Sequence, residues 1–156
     1  MVLLLGAFFF WMTDPLNLRA PKDQKLLEIF QDHRGDFEKL RTMVIEDLPN
    51  EQYFRTSNLE KSKLNPSRKQ EYRQLLNAIW PDLIVRTDGT SVDFIFAGGG
   101  LSALGAEWSK GITYAPDGDK AAIFLSNLNG IRKLTAGDYL RPIESNWFLF
   151  YQRYAN

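Results

Sequence analysis

Two features of this 156-residue sequence could carry nucleophilic or acid–base chemistry: the adjacent pair Ser109-Lys110 and the single histidine, His33. A Ser/Lys pair needs both side chains on one side of the backbone. Neighbours on a strand point to opposite faces, which makes Ser109 and Lys110 poor partners. The hydrolase spacing Ser-x-x-Lys fails at its one approach, where Ser67 is followed by Gln70. His33 stands between Asp32 and Asp36. Asp36 can share its helix face and orient the imidazole as a general base, and a hydrogen-bonded histidine at the edge of a core has the same signature. Gly98-Gly99-Gly100 has the composition of a phosphate loop, but no Gly-Lys-Ser/Thr follows and the next lysine is Lys110. A bend or bulge between strands is the expectation there. Residues 55–73 hold six basic side chains (Arg55, Lys61, Lys63, Arg68, Lys69, Arg73) against Glu60 and Glu71, a local excess that suits either an acidic partner or a solvated helix face.

Composition narrows the chemistry. Cysteine is absent, which excludes disulfides, thiolate zinc sites and a Cys nucleophile. One histidine is too few for an ordinary transition-metal site, and no cofactor is indicated. Lys+Arg and Asp+Glu balance at 19 each, so the chain has no general attraction for nucleic acid.

The elements that would position these groups read as two helices followed by strands. From Asp23 to about Asp47, Leu26, Phe30, His33, Phe37, Leu40 and Val44 make one apolar stripe, with a kink expected at Gly35. Residues 50–64 read as polar and irregular. Asn65-Pro66 is a helix start, with Asn at the cap and Pro in the first turn. Tyr72, Leu75, Leu76 and Ile79 give that helix its buried face, and Trp80-Pro81 closes it. The period then changes to two. Leu83–Arg86 and Val92–Phe96 flank a turn at Thr87-Asp88-Gly89-Thr90, and Gly111–Tyr114 and Ala121–Leu125 read as further strands. Tyr139–Ile143 and Trp147–Tyr154 form a closing hairpin through Glu144-Ser145-Asn146. The expected class is α+β, with a mostly antiparallel sheet of five to six strands.

The first twelve residues, Met-Val-Leu-Leu-Leu-Gly-Ala-Phe-Phe-Phe-Trp-Met, form an apolar anchor or signal-like segment. As a helix they rise about 16 Å, against roughly 30 Å of bilayer core. Three readings compete: the apolar part of a secretory signal, the second half of an anchor that starts upstream, or a buried element of the domain. The Phe8-Phe9-Phe10-Trp11 cluster favours an anchor, because aromatic rings settle at the membrane–water interface. Residues 13–22 read as a linker held extended by Pro15 and Pro21, and residues 23–156 as a single domain.

Three segments carry a family resemblance. Trp108-Ser109-Lys110-Gly111-Ile112-Thr113-Tyr114, Ile143-Glu144-Ser145-Asn146-Trp147-Phe148-Leu149-Phe150-Tyr151 and His33-Arg34-Gly35-Asp36-Phe37-Glu38-Lys39-Leu40 together resemble small uncharacterised membrane-anchored or exported proteins of Gram-negative bacteria. That resemblance implies an anchor plus a domain and carries over no catalytic residue. It draws attention to Ser109, Lys110, Gly111, Tyr114, Glu144, Asn146 and Trp147 as candidate binding residues. The expectation is a non-enzymatic domain tethered to the bacterial inner membrane through residues 1–12, on its periplasmic or its cytoplasmic side. It would bind another envelope protein, in the manner of an inhibitor or immunity protein. A small-molecule or lipid sensor, and a hydrolase using Ser109, Lys110 or His33, are the alternatives.

Overall fold

The computed structural model describes residues 20–49, 52–87, 89–101, 106–116, 122–129 and 136–155. The apolar run 1–12, nearly all of the linker 13–22 and most of the turn at 116–119 lie outside them. Among the described residues no helix is long and apolar enough to cross a membrane.

The class is α+β. Helices α1 (Asp23–Asp32), α2 (Arg34–Asp47) and α3 (Pro66–Ile79) cover one face of a seven-stranded sheet. Its strands are β1 (Gln52–Arg55), β2 (Leu83–Arg86), β3 (Val92–Leu101), β4 (Ala106–Tyr114), β5 (Ile123–Phe124), β6 (Gly137–Glu144) and β7 (Trp147–Ala155). Their order is β1-β2-β3-β4-β7-β6-β5, antiparallel except for the parallel β5–β6 pair.

The apolar stripe expected of one long helix is used by two. The chain leaves helical geometry at His33 (φ −123°, ψ 26°), not at Gly35. The break lets Phe30 and Phe37 turn onto the same indole, with ring centroids 5.1 and 5.8 Å from Trp147. α3 starts as its sequence requires: Asn65 Oδ1 accepts from the Arg68 amide at 2.8 Å, and Pro66 follows. Arg86 of β2 donates to the Ile45 carbonyl at 2.8 Å and to the Leu48 carbonyl, satisfying the free end of α2. Half of the basic run, Arg68, Lys69 and Arg73, is engaged in such contacts. Arg68 meets Glu46 and Asp47 at 2.7 Å each, and Arg73 meets Glu60 at 2.6 Å.

Other sequence expectations shift. The stretch read as irregular contains β1 and a short 3-10 helix, Thr56–Lys61. β1 gains its identity by pairing with β2, which a four-residue window cannot reveal. Gly98-Gly99-Gly100 does not break the chain: the three run inside β3, opposite Ser109, Trp108 and Glu107. The irregularity lies just before them, between Ile95 and Ala97, where Ile95 faces Gly111 and Ala97 faces Lys110. A side chain at Gly111 would place its Cβ 2.0 Å from the Phe94 carbonyl oxygen and 2.8 Å from Phe150. Gly111 is therefore a packing glycine that admits the bulge. The closing hairpin turns through Asn146, whose φ of 65° suits asparagine better than most side chains.

Gly111→Ala should lower stability by about 1–3 kcal/mol through overpacking. Thermal or urea unfolding of the purified chain measures this, and an unchanged midpoint would contradict the close approach.

Candidate functional site

Alternation along β4 and β7 divides the candidate residues between two faces. Trp108, Lys110, Ile112 and Tyr114 point toward the helices, opposite Arg153, Tyr151, Leu149 and Trp147. Ser109, Gly111 and Thr113 point the other way, opposite Gln152, Phe150 and Phe148.

On the helix face the structure closes Lys110 off. Its ammonium is 2.8 Å from Asp23 Oδ1, off the ideal hydrogen-bond direction, and lies 3.4 Å from both the Leu128 carbonyl and Asn129 Oδ1. Asp23 is the first residue of α1 and is fully buried. Its Oδ2 accepts from Arg141 Nη1 at 2.9 Å and from the Leu128 amide at 2.7 Å, and its own amide donates to Asn129 Oδ1 at 2.8 Å. Burial pushes the Asp23 carboxyl up, but the bonds from Lys110, Leu128 and Arg141 outweigh it and hold the carboxyl below its ordinary range. For Lys110 burial wins over the attraction of Asp23, and its ammonium titrates lower than a free lysine. One buried carboxylate against two cations, hydrogen-bonded at Oδ2 and ion-paired at Oδ1, is a structural ion site.

The remaining candidates on this face also hold the helices to the sheet. Trp147 is fully buried and donates from Nε1 to Glu38 Oε1 at 3.2 Å. Glu38 takes Arg34 and Arg41 at 2.8 Å each, and Arg34 continues to Glu144. Burial pushes Glu38 up, and the bonds from Arg41, Trp147 and Arg34 bring it below the usual carboxylate range. The Arg41 guanidinium lies 4.3 Å from the centre of the Tyr114 ring, which itself contacts Trp147 at 5.1 Å. Asn146 supplies the hairpin turn, and its carbonyl accepts from the Ala115 amide at 2.9 Å. His33 sits at the α1–α2 junction with Nδ1 3.1 Å from Asp36. Ser109, Lys110 and His33 do not converge. Ser109 Oγ instead donates to Gln152 Oε1 at 3.3 Å, on the far face. Among the described residues no group of three or more His, Asp and Glu side chains is placed to hold a metal ion.

The far face carries what the sequence did not reveal. A trough of about 520 Å³ crosses β1, β2, β3, β4 and β7. Small residues, Gly98, Gly99 and Ser109, lie at its middle. Arg55, Asp82, Leu83, Val85, Thr87, Asp93 and Ile95 line one side, and Gln152 and Tyr154 the other. Arg55 is the one member of the basic run that lines this trough, and among the described residues it has no ion partner. Tyr53 on β1 and Tyr154 on β7 are large exposed rings, 64% and 50% accessible, and Tyr154 lines the trough. Of the candidate binding residues Ser109, Lys110, Gly111, Tyr114, Glu144, Asn146 and Trp147, Ser109 alone lines the trough, joined there by Arg55 of the basic run and by Gly98 and Gly99.

Lys110→Met should cost about 3–5 kcal/mol, because it leaves part of a buried carboxylate uncompensated, whereas Ser109→Ala should change stability by less than about 0.5 kcal/mol. Denaturant unfolding of both variants checks the contrast. Asp23 has a depressed folded pKa, so its contribution is present above the unfolded value and is lost as pH falls from about 4 through the folded value. The stability gap between the natural chain and Asp23→Asn should therefore narrow below about pH 4, read from urea midpoints across pH. A gap of constant size would mean the Asp23 charge contributes nothing.

Comparison of the chain with protein-family models, with curated proteins and with solved structures returned no match.

Proposed function

We propose that this chain is a membrane-tethered recognition domain that binds an extended polar segment of another envelope protein in the trough on the sheet face away from the helices. The trough itself carries the reading. It spans five neighbouring strands, or about 19 Å at roughly 4.8 Å per strand, and an extended segment of about six residues has that length. Gly98, Gly99 and Ser109 lie beside Trp108 at its middle, where the two glycines leave room for a second backbone, and Arg55 and Asp82 place charges along it. Tyr154, a large exposed side chain of the kind enriched at interfaces, lines it on β7. The tether is the apolar segment 1–12 with its aromatic cluster, which also motivates the assignment to the bacterial inner membrane and a periplasmic body. The resemblance to anchored or exported Gram-negative proteins supports the same arrangement.

A small polar ligand is the second reading. It is favoured by one observation: the volume of about 520 Å³ falls within the range of small-molecule sites. A serine hydrolase has less support, because the Ser109 hydroxyl is bonded to Gln152.

The test is site-specific photo-crosslinking of the full chain in bacterial cells, followed by membrane fractionation. A photoreactive residue at Arg55 or Gln152 should give one discrete protein adduct in the membrane fraction. The same residue at exposed Gln74 on α3 should give none. Equal adducts from both faces, or none from the trough together with a metabolite-dependent rise in the thermal midpoint, would replace the protein-binding reading.

A further inference from the structure

We propose that Trp80 and Asp82 form a second site, separate from the body of the trough, that binds an organic cation: an alkylammonium or guanidinium group. Beside the end of α3 lies a cavity of about 360 Å³, lined among others by Thr56, Leu59, Glu60, Arg73, Trp80 and Asp82. Trp80 is 72% exposed, yet its ring is held in place, because Nε1 donates to the Asn77 carbonyl. Its backbone is left-handed (φ 57°, ψ 48°), a conformation that helix ends ordinarily give to glycine. A bulky residue there is strained, and an exposed indole gains little from burial. Folding alone therefore does not account for a tryptophan at this position, and strain of this kind collects at binding sites.

The chemistry of the lining selects the ligand. An indole face attracts cations through its quadrupole, more strongly than the other aromatic rings do. Arg73 is neutralised by Glu60 at 2.6 Å, so the Asp82 carboxylate leaves the lining one negative charge in excess. Among the described residues that carboxylate has no ion partner. The backbone that carries it is held in place: the Asp82 amide donates to the Ile95 carbonyl at 2.8 Å, and the Asp82 carbonyl accepts from the Thr56 amide at 3.2 Å. A held indole, a carboxylate on a held backbone and a cavity between elements form the minimum set for holding an organic cation by cation–π and Coulomb attraction together.

Such a cation could be a free quaternary ammonium compound or the side chain of a lysine or arginine on a peptide. The full chain, labelled with ¹⁵N at tryptophan, is titrated with tetramethylammonium chloride and, separately, with a Gly/Ser peptide carrying one arginine. Sodium chloride at matched ionic strength is the control. The Trp80 indole signal should move saturably with an organic cation and not with sodium. Asp82→Asn should weaken binding at least about fivefold, the equivalent of the lower range of one such contact. Trp80→Gly should abolish binding while raising the thermal midpoint, since glycine relieves the left-handed strain; its rise in stability also guards against a loss caused by unfolding. Tighter binding of the peptide assigns the site to a protein side chain, and tighter binding of tetramethylammonium assigns it to a small quaternary amine. No saturation with either cation, or equal affinity in Trp80→Gly, overturns the proposal. Ser109 and Gln152 do not line this cavity, so failure here leaves the trough reading to its own crosslinking test.

Discussion

The structure depends on one buried charge. Asp23 begins the first described helix, and its carboxylate reaches Lys110 on β4, Arg141 on β6 and the amide of Leu128 in the connection that follows β5. These groups lie 87 to 118 residues away in the chain, so no local preference brings them together. The Asp23 and Lys110 charges are costly to bury alone, and together with Arg141 and the Leu128 amide they compensate one another. The site thereby sets where the helix layer meets the sheet, at the point where the chain arrives from its N-terminal segment. Replacing both Asp23 and Lys110 with apolar residues of similar volume could recover the stability that a single replacement loses, which is the usual behaviour of a buried pair. What the ion site contributes beyond energy is position: a shifted helix leaves a charge unpaired.

The same interaction decides which face is open to a partner. Ser109 and Lys110 are neighbours, and the alternation of a strand sends them to opposite environments. Lys110 is spent inside, with Tyr114, Trp147 and Glu144 joining it in attaching helices to sheet. Ser109 is left on the far face among Gly98, Gly99 and Gln152, where the space is. Gly111, between the two roles, has no side chain because the bulged β3 backbone occupies that volume. A face built for packing and a face with a polar trough follow from one nine-residue strand.

Much of the fold was legible from local patterns. The apolar positions of α3, its Asn65-Pro66 start and the closing hairpin through Glu144-Ser145-Asn146 depend on spacing, capping and turn residues, which a linear reading sees. The break at His33 was not legible, because the stripe from Leu26 to Val44 continues across it; the break serves the packing of Phe30 and Phe37 on Trp147, a residue more than a hundred positions away. β1 and the paired glycines of β3 exist because partner strands supply their hydrogen bonds. The trough was invisible for the same reason. Arg55 and Asp82 are brought together by the Arg55–Leu83 register, and Gln152 meets Ser109 across β4 and β7. The sequence candidates on the helix face stood out for their residue types, yet those types serve the core, whereas Ser109, Arg55 and the glycines Gly98 and Gly99 lie on the open face.

The most direct test of this division of faces is amine footprinting of the native full chain, with acetylation at each lysine read by mass spectrometry. Lys110 should remain unmodified under conditions that label the exposed Lys61 and Lys63, and should become reactive only when denaturant unfolds the domain. Labelling of Lys110 in the folded chain at the rate of the exposed lysines would show that its ammonium reaches solvent. It would then be free to act as a site residue, and the account of a closed helix face and an open far face would fall.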